Sequence, residues 1–161
     1  MTKLLTLAAM IALPTVAAVA QAPMAAPTYV MKAGAGDQYE IQSSRLLLTS
    51  TKNAKLRSFA SMMVTDHTKS TADVKAAAMR AGLHPAPPKL DVMGTKNVAA
   101  LRAATGTARD RLYVEQQKSA HQRALTLHQT YAQSGTAAPL KTVAASIAPV
   151  VQTHITELST M

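Results

Sequence analysis

The chain has 161 residues, enough for one domain, and contains no cysteine, so disulfides, thiolate catalysis and thiolate-ligated metal sites are excluded. It has no tryptophan, one phenylalanine and four tyrosines, too few aromatics for a base-stacking platform on single-stranded nucleic acid. Seventeen Lys and Arg face eight Asp and Glu, for a net charge of +9. Alanine is abundant and glycine scarce, which favours helices over strands.

Residues 1–20 have the layout of a secretory signal. Lys3 precedes an apolar run over residues 4–19, and small residues follow at Ala18, Ala20 and Ala22. Cleavage is expected after Ala20. The run is short for a bilayer span of roughly 20 residues and contains Pro14. No later stretch is long and apolar enough to span. The mature chain is therefore expected to be exported, periplasmic or beyond, and soluble. Residues 21–36 carry Pro and Gly and read as a linker or a short frayed helix.

The domain is expected over residues 37–161. A first helix is expected over 37–51, with Asp37 as N-cap and Glu40 completing a capping box. Glu40 also falls on the inward stripe with Ser43, Ser44 and Leu47. A second helix is expected over 53–81, capped by Asn53 and stopped by Gly82. Its stripe is Leu56, Phe59, Met63, His67, Ser70, Val74 and Ala77, in steps of three and four. The connection 83–94 contains three prolines. A short helix is expected over 95–104, ended by Gly106. A third long helix is expected over 107–134, with Leu112, Tyr113, Gln117, Ala120, His121, Ala124, His128 and Tyr131 inward. The last is expected over 139–158, with Leu140, Val143, Ala144, Ile147, Val151, His154 and Leu158 inward and a kink from Pro149 near Ala145. Four long amphipathic helices and no strand pattern give an all-α, four-helix bundle, with the 83–106 segment crossing between the second and third long helices.

The segments AGAGDQYEIQSS, SFASMMVTDHTKS, DRLYVEQQKSAHQRALTLHQ and APVVQTHITEL span about residues 30–158. Together they resemble a family of exported bacterial ferritin-like domains of unknown function, often labelled putative membrane or outer-membrane proteins. The resemblance implies a ferritin-like bundle outside the cytoplasm and supplies no activity.

Glu40, His67, His121 and His154 each interrupt the apolar stripe of a different helix. At about 1.5 Å of rise per residue, the levels within each antiparallel pair agree to about 5 Å. All four side chains are expected to converge at mid-bundle. Two readings are open. One is a hydrogen-bonded polar layer, joined by Tyr39 or Tyr113. The other is a mononuclear metal site of three imidazoles and one carboxylate, a set that suits zinc, copper, manganese or iron. A di-iron ferroxidase needs Glu-x-x-His pairs, and the chain has none. Asp66 and Asp73 are expected to be solvated, with Asp66 able to orient an imidazole other than that of His67. Met63 reads as core filler rather than a thioether ligand. His128 extends the polar layer, and His84 is exposed.

Lys52, Lys55 and Arg57 cluster at the first turn and Arg109 and Arg111 at the start of the third long helix. Such a surface suits solubility or an anionic envelope surface, not nucleic acid. There is no G-x-S-x-G, phosphate loop or H-E-x-x-H motif. Two functions therefore stand. The first is a non-enzymatic exported bundle, a binding or stress-related envelope protein. The second is a periplasmic transition-metal-binding protein or metal-dependent oxidoreductase.

Overall fold

The computed structural model describes residues 22–161. The signal expected over residues 1–20 lies outside them. Five helices follow in order: α1 (Ala26–Leu48), α2 (Ala54–Arg80), α3 (Val92–Ala103), α4 (Gly106–Ser134) and α5 (Ala138–Ser159). No strand occurs among the described residues, and none of their helices is long and apolar enough to cross a membrane.

The largest departure from the expected elements is at α1. It begins at Ala26, so Asp37 and Glu40 lie in its interior and neither caps it. Pro27 stands in the first turn, where its fixed φ is already helical and its missing N–H costs no hydrogen bond. The stretch assigned to a linker thus carries core residues, with Tyr29 and Ala33 both buried. One of its two glycines, Gly34, has a packing reason. A Cβ on Gly34 would stand 2.7 Å from the Cβ of Pro88, so the proline-rich connection lies directly on α1 at this position.

Caps set the other boundaries. Asn53 Oδ1 accepts from the backbone N–H of Lys55 and Leu56 and starts α2. Gly82, at φ +75°, follows its end. Asp91 Oδ1 accepts from Gly94 N at 2.6 Å, which starts α3 three residues earlier than expected. Gly106, at φ +52°, opens α4 rather than closing α3. The helix α5 continues through Pro149, which is exposed together with Ala145. The carbonyl that Pro149 deprives of its partner can therefore meet water.

The long helices pack in the ring α1–α2–α5–α4, and α3 lies against α1 and α4. Each neighbour is antiparallel. At one end Tyr29 and Ala33 meet Val74, Ala77, Tyr131, Leu140 and Val143. At the other, Leu47 meets Leu56, Phe59, Met63, Tyr113 and Leu158. It follows that α2 and α4 run in the same direction, and residues 81–105 return the chain from one end to the other. The stripes expected on α2 and α5 are buried throughout. Met63 belongs to the Leu47 cluster, as filler should.

Part of the basic surface is occupied by helix ends. Arg57 donates to the carbonyls of Leu48 and Thr51, Arg109 to those of Ala104 and Arg102, and Lys55 Nζ to that of Thr160. Cations at these carbonyls complement the negative ends of α1, α3 and α5.

The α1 N-terminal half is tied to α4 by aromatic contacts. Tyr29 stacks on Tyr131 at 3.9 Å between ring centroids, and its hydroxyl lies 2.9 Å from His128 Nδ1. Tyr29→Ala should cost about 3–5 kcal/mol of stability, measured by urea unfolding. A loss below about 1 kcal/mol would mean that this half of α1 is not part of the core. Burial holds His128 down to about 4. The unfolded chain, with an ordinary histidine at 6.5, binds a proton in the interval that the folded chain does not. Stability must therefore fall as pH drops through that interval. Between pH 7 and 4.5 the wild type should lose about 2 kcal/mol more than His128→Gln. Parallel unfolding curves for the two proteins at both pH values would contradict this.

Candidate metal centre

Between the two apolar ends lies a polar layer. His67 on α2, His121 on α4 and His154 on α5 are all buried and meet between their helices. One nitrogen of each lies within 4.8 Å of one nitrogen of the others. The ring centroids are 5.3–5.7 Å apart. Phe59, one turn from Met63, borders His121 and His154 at 6.3 and 6.4 Å and closes the layer towards its own end.

The hydrogen bonds around each ring dictate where its lone pair points. His121 Nδ1 lies 3.0 Å from the carbonyl oxygen of Gln117, which can only accept. That nitrogen therefore carries the proton, and neutral His121 presents a bare Nε2. His154 Nε2 lies 3.0 Å from Asp66 Oδ2, so it donates and leaves Nδ1 bare. His67 Nδ1 lies 2.8 Å from Asp37 Oδ1, and its Nε2 is buried with no partner. Two lone pairs thus turn towards each other, and the unpartnered Nε2 of His67 belongs to the same cluster. His121 Nε2 and His154 Nδ1 stand only 3.3 Å apart with no proton of their own to share. A proton or a cation must lie between them to make that contact favourable.

Electrostatics weighs against the proton on two of the rings. Burial, and the neighbouring His67 and His154, hold His121 down to about 3. Burial also lowers His154, against the opposing pull of Asp66. For His67 burial pushes in the same direction, but the hydrogen bond and charge of Asp37, with Glu40 and Asp66, outweigh it and raise the group.

The four expected site residues do share this layer, though on different terms. Glu40 Oε1 lies 3.7 Å from His121 Nδ1, on the protonated edge of the ring, and Glu40 is outside the triangle of nitrogens. Its Oε2 is buried without a partner, as is Oε1 of Gln117. Burial pushes Glu40 up to about 7, while His67 and Gln117 pull it down.

Two carboxylates take parts that their expected positions hid. Asp37 is 4% exposed and receives hydrogen bonds from His67 and from Thr71 Oγ1 at 3.0 Å. It stands at i−3 from Glu40 on the same face of α1, a relation that appears only when the helix runs from Ala26. Asp66 is not simply solvated but binds His154 across the α2–α5 seam. The expected aromatic partners lie elsewhere. Tyr113 bonds Ser44, Tyr39 bonds Gln116, and His128 bonds Tyr29. His84 is exposed.

The tautomers provide a direct check. Imidazole 15N shifts at neutral pH should show His121 protonated on Nδ1 and His154 on Nε2. The reverse assignment at either ring would remove the convergence of lone pairs.

The model of one protein family, described as Domain of unknown function (DUF4142), matches residues 12–161. No curated protein and no solved structure matches the chain. With nearly the whole sequence covered, the chain belongs to the DUF4142 family.

Proposed function

We propose that this chain is an exported, ferritin-like four-helix bundle that binds one transition-metal ion through His67, His121 and His154. One observation carries the reading: three buried imidazoles bring one nitrogen each within 4.8 Å of the others while acceptors hold their far nitrogens. Metal-bound histidines are oriented in this way by carboxylates and backbone carbonyls on the far nitrogen. One spacing agrees. For metal–nitrogen bonds of 2.0–2.1 Å, a tetrahedral site has a nitrogen–nitrogen edge of about 3.3 Å. The His121–His154 pair has that spacing. The ring arrangement α1–α2–α5–α4, with a crossover to α3 and α4, supports the ferritin-like reading.

Charge supports it as well. Asp37 and Glu40 are buried, and among the described residues neither forms an ion pair with Lys or Arg. A divalent ion offsets both. Bound there with three nitrogen ligands, it would keep one position for water or a small ligand, with Glu40 behind the His121 ring. The set suits zinc and copper and serves binding, buffering or redox chemistry. The absence of Glu-x-x-His pairs argues against a di-iron oxidase.

Titration of metal-free protein with zinc, cobalt(II) or copper(II) should saturate at one ion per chain. At a free concentration about 100 times the dissociation constant, the ion should stabilise the fold by roughly 2.7 kcal/mol. His67→Ala, His121→Ala and His154→Ala should each remove the gain, and Met63→Leu should keep it. If no ion raises the stability of the wild type, the layer is a hydrogen-bonded core feature and the reading fails.

A further inference from the structure

The three histidines are buried, so an ion needs a route to them. The groups around the three histidines differ sharply in exposure. Asp37 and Glu40 are each 4% exposed, and Gln117 is fully enclosed. The Asp66 side chain is 34% exposed while its Oδ2 touches His154 Nε2. It is the carboxylate that joins solvent to the imidazole cluster. Glu157 lies one turn beyond His154 on α5, half-buried, and its charge reaches that ring. Only eight acidic residues occur in a chain of net charge +9, which repels cations overall. Two of the eight act on His154, Asp66 by contact and Glu157 through its charge.

A second observation gives the seam a destination. His67 Nε2 is buried, has no hydrogen-bond partner and belongs to the same triangle as His154. An ion that reaches Asp66 is one imidazole ring away from three nitrogens.

We infer that Asp66 is the entry carboxylate of the metal site. A divalent cation first binds the Asp66 carboxylate at the α2–α5 seam. The His154 ring then gives way and the ion passes to the nitrogens of His67, His121 and His154. Asp66 afterwards accepts the His154 Nε2–H again and fixes the ring. The Asp66–His154 hydrogen bond opens and re-forms, no covalent bond changes, and a proton carried by His67 leaves to solvent as the ion takes its nitrogen. Asp37 has the orienting part without the entry part, because it is enclosed. This inference rests on the metal reading above.

The test is stopped-flow uptake of cobalt(II) by the full chain, with release into excess chelator. Asp66→Asn keeps an oxygen that can accept from His154 and removes the charge. It should slow uptake by about tenfold at low salt and abolish most of the salt dependence seen in the wild type. Asp37→Asn should speed release and leave uptake near the wild-type rate. Asp66→Glu should restore fast, salt-dependent uptake, which a purely structural role for Asp66 would not require. Asp66→Asn loading at the wild-type rate, with an unchanged salt dependence and one cobalt per chain, would overturn the entry role alone. Failure of the wild type to take up any cobalt would overturn the entry role and the metal reading together.

Discussion

Asp37 and Glu40 are buried in a chain with twice as many basic as acidic residues, and the groups they meet are imidazoles rather than lysines or arginines. Burying an uncompensated carboxylate is expensive, so the middle of the bundle is organised around satisfying negative charge. His67 answers Asp37 directly. His154 answers Asp66 across the next seam, and His121 is fixed by a backbone carbonyl. Once these far nitrogens are engaged, the near ones have nowhere to point but at one another. The convergence of lone pairs is therefore a consequence of how the charges are housed.

The rest of the fold keeps that layer dry and in register. Apolar side chains fill the bundle on both sides of it, with Tyr29 and Tyr131 at one end and Phe59, Met63 and Leu158 at the other. Every helix that supplies an imidazole is antiparallel to a neighbour that supplies another group, so one level of the bundle collects them all. The extended α1 matters here because it carries both buried carboxylates. It is covered by α2, α4 and α3, and by Pro88 against Gly34. That coverage explains why its buried surface is too wide to read as a single stripe.

Much of this was legible in the residues. The spacing of Leu56, Phe59, Met63, His67 and Val74 placed His67 inward, and His121 and His154 followed from the same period on their helices. Height arithmetic then brought them to one level. Asp37 was misread because glycine and proline at 27–36 resemble a linker. Local composition does not reveal that Gly34 is there for contact with a segment more than fifty residues away. Asp66 immediately precedes His67 and so projects about 100° away from it, which leaves open whose imidazole it orients. Its partner sits on α5, and only packing brings the two together. The tautomers depend on the Gln117 carbonyl and on carboxylates from two helices, which no periodicity encodes.

The central claim is that the three histidines form a metal site and not merely a polar layer. X-ray absorption at the zinc edge, on protein loaded with one equivalent of zinc, tests it most directly. The account predicts a shell of low-Z ligands at about 2.0–2.1 Å with the outer scattering of three imidazole rings. It also predicts loss of that pattern in a chain carrying His67→Ala, His121→Ala and His154→Ala together. A zinc shell without imidazole scattering, or an identical spectrum from the triple variant, would contradict it.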